Sequence, residues 1–264
     1  MAAPQDNWTA RQRRVAHIKS HLADPSEIEQ DVDYIRNNKG DPAACVLDLN
    51  SKALAQAMLA WFDSHDLAGL RQWCYVGAKL RLLRFKMKPD TFGPGGKFLE
   101  LRLPLLSNHA GVIQQFIDAD SMYDMKRAES HKTHDFCAYQ AIVALRGEWT
   151  RLAERAERVL ADPPAGHEHQ KYLVEHRFYL ALARGNVNGM EDALAEITAP
   201  KAVKSRSNDE SGFTEDLIST AAVNLAKIAW RSGYPIKVDS PFVPAEWLPM
   251  DPLPHYDLHY DFLK

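Results

Sequence analysis

Apolar side chains recur every three to four positions along most of the chain, which is the period of an amphipathic α-helix. Val15, Ile18 and Leu22 form one such stripe, and a longer apolar run extends from Leu47 to Phe62. Helices are predicted at about 9–22, 26–38, 41–62, 67–85, 107–144 with breaks, 148–160, 168–183, 187–197 and 214–231. The pattern therefore predicts an all-α protein.

Short turns separate many of the predicted helices. Ala-Leu-Arg-Gly ends one helix at 144–147, Leu-Ala-Arg-Gly ends another at 182–185, and a weaker break lies at 64–66. Because such short connections favour antiparallel helical hairpins, we expect stacked hairpins, similar to an irregular helical repeat. We expect a single domain over residues 1–264.

Two segments have the composition of loops. Residues 201–208 are basic and polar, and residues 88–96 are rich in Gly and Pro. A glycine-rich loop can bind phosphate, but a P-loop needs the spacing GxxxxGK[ST] after a strand. Here Lys97 is followed by Phe98, so a structural loop is the favoured interpretation.

The last part of the chain, residues 233–264 (the C-terminal tail), departs from the helical pattern. It contains six of the 15 prolines, interleaved with apolar and aromatic residues. Proline fixes the backbone and removes a hydrogen-bond donor, which favours an extended segment. Because disordered segments are low in hydrophobicity, we expect Phe242, Trp247, Leu248 and Phe262 to pack on the helical body.

The C-terminal region also carries a family resemblance. The strings SGFTEDLIST (211–220), AKIAWRSGY (226–234) and VDSPFVPAEWLP (238–249), with the Tyr/Phe-rich end that follows, resemble the immunity protein 49 family. The resemblance covers Tyr172 to Leu263 and fades towards the N-terminus. It implies a protein that neutralises a toxin of a bacterial polymorphic or secreted toxin system.

Composition limits the other possibilities. With 35 acidic and 32 basic residues, the net charge of -3 argues against a broad nucleic-acid surface. No apolar run approaches the roughly 20 residues that span a bilayer, and no apolar signal core follows the basic N-terminus. We therefore expect a cytoplasmic protein that binds neither nucleic acid nor membrane. The three cysteines form no CxxC pair and are interpreted as buried small apolar residues.

One constellation could hold a metal. His131 and His134 lie three residues apart, and Asp135 is adjacent. Zinc sites use such spacings but need a further protein ligand and supporting contacts. A metal-dependent helical enzyme is therefore a rival interpretation, while the prediction is that the protein is not an enzyme and has no cofactor.

Two acidic patches containing an aromatic residue are predicted to bind a partner. Carboxylates around an aromatic anchor suit a basic protein surface, because opposite fields speed association and aromatics contribute strongly to binding. Solvated helix faces would show the same pattern, and that interpretation stays open. The predicted partner-binding residues are Glu27, Glu29, Asp31, Asp33, Tyr34, Asp118, Asp120, Tyr123 and Asp124.

The family resemblance implies the function: an immunity protein that binds and neutralises a cognate antibacterial toxin by direct contact. A nuclease toxin is one option, because acidic side chains could imitate a nucleic-acid backbone. A helical-repeat adaptor or an effector chaperone would have the same composition and is the main alternative. The toxin, its chemistry and the oligomeric state of the protein lie beyond the sequence.

Overall fold

The computed structural model describes residues 9–89 and 98–264, so most of the predicted glycine-rich loop lies outside the described residues. The helices are α1 (Ala10–His21), α2 (Pro25–Arg36), α3 (Pro42–Phe62), α4 (Leu67–Met87), α5 (Arg102–Ser107), α6 (Ala110–Ile117), α7 (Met125–Ala128), α8 (His134–Leu145), α9 (Trp149–Ala161), α10 (His167–Gln170), α11 (Leu173–Ala183), α12 (Val187–Thr198), α13 (Pro200–Ser205) and α14 (Thr220–Arg231). Single turns of 3-10 helix lie at Asp120–Met122, Ser207–Asp209, Ala245–Trp247 and Asp261–Leu263.

The all-α prediction is confirmed, since the described residues contain no strand. Consecutive helices pack as hairpins: α3 lies along α4, α9 lies against α11, and α11 lies against α12. Helix α14 contacts α5, α8 and α12, and every residue from Thr220 to Ala229 is buried. This helix therefore connects α5 and α8 with the C-terminal helices. The single-domain prediction stays a prediction.

Tight turns with positive φ make the short connections possible. His65 (φ 52) lies between α3 and α4, Gly147 (φ 70) between α8 and α9, and Gly185 (φ 64) between α11 and α12. Gly185 is constrained twice, because a Cβ there would lie 2.9 Å from the hydroxyl of Tyr234 in the tail. The turns are the ones that the sequence predicts.

Two predicted boundaries were wrong. The segment 201–208, predicted as a loop, forms α13 and a 3-10 turn. Pro200 stands at the first helical position, which favours the start of a helix even in a polar segment. The last long helix begins at Thr220 and not at Thr214. Its start is set by Glu210, whose carboxylate accepts the Thr220 backbone N–H at 2.6 Å and the Thr220 hydroxyl at 2.6 Å.

The C-terminal tail packs on the helical body, as the sequence predicts. Trp247 and Leu248 are each 2% exposed, and Phe262 is half-buried against the same core. Phe242 is half-buried but is not one of the residues that pack against this core. The ring of Trp247 lies edge-on to Trp61, with centroids 6.0 Å apart. Further tail residues buried in the core are Ile236, Val243, Tyr260 and Leu263.

A buried lysine holds the tail in place. Lys227 of α14 is 0% exposed, and its Nζ donates to Asn108 Oδ1 at 2.6 Å and to the carbonyls of Trp247 and Leu248 at 3.0 and 3.1 Å. Asn108 Nδ2 in turn donates to the carbonyls of Pro249 and Asp251. Burial lowers the pKa of Lys227 to about 7. These six residues form one polar clamp inside the core.

A second buried polar chain links α8, α9 and α11. Arg155 Nε donates to Gln140 Oε1 at 2.6 Å, which fixes the orientation of that amide. The Gln140 amide nitrogen therefore points to His176 Nδ1 at 3.5 Å, and His176 Nε2 faces Cys137 Sγ at 3.3 Å. Because Nδ1 accepts, the proton of the neutral ring lies on Nε2. Burial lowers the pKa of His176 to about 3, so this imidazole is neutral at physiological pH.

Among the described residues, no helix is long and apolar enough to cross a membrane.

Candidate partner-binding surface

The predicted acidic face of α2 is divided between two environments. Glu27 and Asp31 are turned towards α3, where Lys52 Nζ lies 2.5 Å from Glu27. Asp31 is half-buried beside Asp48 and Cys45, and burial followed by Asp48 raises its pKa to about 6, against the opposing effect of Cys45. This row therefore takes part in packing α2 on α3, and its charge is partly compensated.

The other row of α2 faces solvent. Glu29 is exposed, and Asp33 is exposed with Lys39 Nζ 3.1 Å away. Tyr34 is half-buried, with its ring against Gly40 and its hydroxyl 3.2 Å from Gln30 Nε2. Glu29, Asp33 and Tyr34 are the members of the α2 patch that a partner could reach.

The second patch, residues 118–124 (the acidic turn), connects α6 to α7. Asp118 is exposed at the end of α6 and accepts from Gln114 Nε2 at 2.9 Å. Asp124 is exposed and caps α7, accepting the Arg127 backbone N–H at 3.1 Å. Two solvent-exposed carboxylates thus lie at the two ends of the turn.

Between them, Tyr123 is buried and Asp120 is half-buried. Asp120 Oδ1 accepts from Arg146 at 2.7 Å and from the Tyr139 hydroxyl at 2.9 Å. The pKa of Asp120 is lowered by these two bonds, against the opposing effect of burial. Tyr123 is 8% exposed, and its ring lies edge-on to Tyr139 at 5.1 Å. The aromatic residue of this patch is therefore part of the core in the free protein.

An aromatic groove lies next to the acidic turn, and sequence reasoning missed it. This groove, the Trp149 groove, encloses about 670 Å³. Its walls include Arg146, Trp149, Trp230, Arg231 and Met250. Arg146 also bonds Asp120, so the groove and the acidic turn share a side chain.

Exposure and charge distinguish this groove. Trp149 is 38% exposed at the start of α9. Arg231 makes no hydrogen bond or ion pair with the described residues, and partial burial lowers its pKa. A tryptophan two residues after the turn glycine, Gly147, was the only signal of this surface in the sequence.

The end of the tail lies close to both acidic patches. Arg36 of α2 bonds Asp261 at 2.9 Å. Asp118 and residues 262–264 line one cavity of about 660 Å³. The α2 patch and the acidic turn are therefore separated by the tail and do not merge into one face.

The histidine constellation does not converge. His131 Nε2 lies 2.9 Å from Asp162 Oδ2, and Asp135 accepts from Arg127 Nε at 2.7 Å. The His134 ring stacks on His169 at 4.2 Å. Within the described part of the chain, no three His, Cys, Asp or Glu side chains are placed to hold a metal ion.

Comparison with known families bears on the interpretations of the sequence. The model of the family described as Immunity protein 49 matches residues 119–247, just under half of the chain. These residues, the Immunity protein 49 segment, are similar to that family. The resemblance that the C-terminal motifs show is confirmed, although the match begins well before Tyr172 and ends at Trp247. No curated protein and no solved structure matches the chain.

The Immunity protein 49 segment contains most of the second surface and none of the first. Asp120, Tyr123 and Asp124 lie in it, as do Arg146, Trp149 and both of the α14 residues of the groove. Asp118 lies one residue before it, and α2 lies far outside it. The family match therefore supports an immunity function and directs attention to the acidic turn and the Trp149 groove.

Proposed function

We propose that this protein is an immunity protein that binds and neutralises one cognate bacterial toxin by direct protein–protein contact. The observation that carries the proposal is the Immunity protein 49 match over residues 119–247. The proposal involves binding alone, with neither catalysis nor a cofactor, and it places the protein in the cytoplasm with its toxin.

The contact surface that we propose combines the acidic turn with the Trp149 groove. Tryptophan, arginine and methionine are enriched at the energetic centres of interfaces, and Trp149, Arg231 and Met250 lie in one groove. Asp118 and Asp124 add exposed negative charge at its border, which would attract a basic partner surface and orient it. Asp120 and Tyr123 support this surface from beneath.

The outward row of α2 is the second proposed contact. Glu29, Asp33 and Tyr34 offer the same combination of carboxylates and an aromatic ring. Glu27 and Asp31 contribute less, because their charges already face α3. Charge-reversing substitutions on each surface separate the two contributions.

Two modes of neutralisation fit this surface. The protein could cover the active site of the toxin, or it could hold the toxin in an inactive conformation. For a nuclease toxin, whose substrate channel is positive, the exposed carboxylates would occupy the positions of phosphates. A competition assay with substrate distinguishes the modes, because only active-site coverage is relieved by excess substrate.

Co-expression tests the function. The toxin encoded beside this gene is produced in a sensitive cell with and without the protein, and growth and complex formation are measured. Rescue together with a stable one-to-one toxin complex is the expected result. A toxin that kills equally in both strains contradicts the proposal, and stable capture of several unrelated partners would favour the adaptor or chaperone alternative.

A further inference from the structure

A polar cavity lies on another side of the molecule, where α1, α3 and α4 meet the segment that precedes α14. This cavity, the Arg102 cavity, encloses about 400 Å³. Small-molecule sites commonly enclose about 300–1,000 Å³. The polar and aromatic residues of its wall are His17, His21, Asn50, Ser51, Arg81, Glu100, Arg102, Ser211 and Phe213.

Arg102 is the unusual member of this wall. It is 6% exposed, yet its only hydrogen bond to the described residues runs from Nη1 to the Leu99 carbonyl at 3.3 Å. Its Nε is buried and has no hydrogen-bond acceptor. No carboxylate of the described residues lies within ion-pair distance of the guanidinium. A buried charge without a partner is costly, because it has lost its hydration without compensation.

The carboxylates near Arg102 do not pair with it. Glu100 Oε1 pairs with Arg81 at 3.0 Å, and Glu100 Oε2 is buried without a hydrogen-bond partner. Both carboxylate oxygens of Glu210 accept hydrogen bonds from Thr220. The charge of Arg102 acts on Glu210 from beyond ion-pair distance. Burial lowers the pKa of Arg81 to about 10, and the nearby Arg102 and Arg84 add to this effect, whereas Glu100 opposes it. The wall of the cavity therefore carries two guanidinium groups, Arg81 and Arg102, against the single carboxylate of Glu100, which leaves an excess of positive charge.

The opposite side of the cavity is formed by flat rings. His17 and His21 lie edge-on to each other at 4.5 Å, and His21 lies edge-on to Phe213 at 5.4 Å. His17 and His21 are both exposed at the rim. Burial, then His21 and Arg14, lowers the pKa of His17. The rings present planar surfaces to the cavity. Such surfaces pack well against a planar ring.

We propose that the Arg102 cavity binds a small ring-bearing oxyanion. Its carboxylate or phosphate group accepts hydrogen bonds from the Arg102 guanidinium, and its ring packs against His21 and Phe213. Guanidinium matches both carboxylate and phosphate geometry, so the charge and the ring define the ligand class. This site lies apart from the acidic turn and the Trp149 groove. The proposal for this site is therefore independent of the proposal for toxin binding.

Titration with three probes tests the site. Adenosine monophosphate, benzoate and inorganic phosphate are each added to the full chain, and binding is followed by calorimetry and by the NMR signals of the His17 and His21 rings. Saturable binding of a ring-bearing probe, with shifts of these signals, is expected, and inorganic phosphate should bind more weakly. Comparison of adenosine monophosphate with benzoate tells whether the phosphate or the carboxylate is preferred.

Substitutions localise the binding. Arg102→Gln keeps the size of the side chain and removes its charge, and should weaken binding by at least about tenfold, because a charge-assisted hydrogen bond is lost. Arg36→Gln is the matched control, since Arg36 is exposed and does not line this cavity, and should bind like the unmodified protein. Ser51→Tyr fills the cavity without touching Arg102 and should abolish binding.

Three results would overturn the proposal. They are the absence of saturable binding of both ring-bearing probes at millimolar concentration, unchanged affinity in Arg102→Gln, and unchanged affinity in Ser51→Tyr. If Arg102→Gln does not fold, the Ser51→Tyr variant decides alone. Preferred binding of inorganic phosphate over both ring-bearing probes would also contradict the proposed ligand class.

Discussion

Lys227 and Asn108 meet inside the core through a hydrogen bond of 2.6 Å between Nζ and Oδ1. Both side chains also bond the backbone of the tail, Lys227 from α14 and Asn108 from the turn between α5 and α6. The oxygens around Lys227 favour its charged form, which opposes the effect of burial. This pair therefore attaches the tail through polar contacts in an otherwise apolar region.

Replacement of Lys227 by Met should destabilise the protein by about 2–4 kcal/mol. The methionine fills the space, but Asn108 Oδ1 and the tail carbonyls lose their donor inside the core, and unsatisfied buried acceptors are costly. Urea unfolding followed by tryptophan fluorescence measures the change. Lys237→Met, at an exposed position of the tail, is the control and should change stability by less than about 0.5 kcal/mol. Equal values for the two variants would show that the clamp contributes nothing.

Truncation after Gly233 should prevent stable folding. It removes Ile236, Val243, Trp247, Leu248 and Leu263 from the core. At about 1.5–3 kcal/mol for each large buried side chain, the loss of about 7–15 kcal/mol is comparable to the whole stability of a typical protein. Circular dichroism and a thermal melt test this expectation, and a cooperative melt near that of the full chain would contradict it.

Gly185→Ala should cost more stability than Gly233→Ala. Both glycines have positive φ, at 64° and 88°, so each alanine carries backbone strain of about 1–2 kcal/mol. At Gly233 the new Cβ meets nothing within 4 Å, whereas at Gly185 it comes 2.9 Å from the Tyr234 hydroxyl. The difference between the two free energies of unfolding isolates the contact with Tyr234. Adding Tyr234→Phe to Gly185→Ala should recover most of that difference.

His176 should make the protein lose stability as the pH falls. Its pKa is about 3 when folded and about 6.5 when unfolded, so the unfolded chain binds more protons between these values. Stability from this group is therefore complete above pH 6.5 and declines towards pH 3, by at most about 1.4 kcal/mol per pH unit. Unfolding free energies at several pH values should fall less steeply for His176→Gln than for the unmodified chain. Parallel curves would rule out this histidine as the source.

Trp149→Ala should weaken toxin binding by roughly thirtyfold, or about 2 kcal/mol, if the Trp149 groove is an interface centre. Arg231→Glu should weaken it further by placing a repulsive charge where a partner carboxylate is expected. Val187→Ala, which changes an equally exposed apolar side chain of α12, is the matched control and should bind normally. Calorimetry with the purified toxin measures each affinity.

Charge reversal on the two acidic surfaces completes the comparison. Asp118→Lys with Asp124→Lys should slow association, and Glu29→Lys with Asp33→Lys reports the contribution of α2. The protein could protect cells while neither the groove variants nor the acidic-turn variants lose affinity for the toxin. That result would support the immunity function and contradict the proposed contact surface.

The helices and the packed tail could be predicted because their causes are local. The apolar period fixes α3 and α4, the turn glycines fix the hairpins, and the aromatic residues between prolines require burial. The start of α14 could not be predicted, because it depends on Glu210 reaching Thr220 and on the Ser219 backbone bonding the tail at Phe242. These are contacts between segments that no sequence period reveals.

The candidate surface was predicted only in part for a similar reason. The sequence alone does not distinguish a carboxylate that faces solvent, such as Glu29, from one that faces a lysine of the next helix, such as Glu27. Aromatic residues show the same ambiguity: Tyr123, predicted as an exposed anchor, is buried, whereas Trp149, which the sequence did not single out, is exposed. Tertiary packing decides both.

The polar clamp that holds the tail also predicts the order of events in folding. Asn108 and Pro249 are separated by 141 positions along the chain, whereas the partners within each helical hairpin are near neighbours. Local helical contacts form quickly, and distant ones must first close a long loop at an entropic cost. The hairpins should therefore assemble first and the tail should dock last, so that Trp247 reports the final step of folding through its own fluorescence.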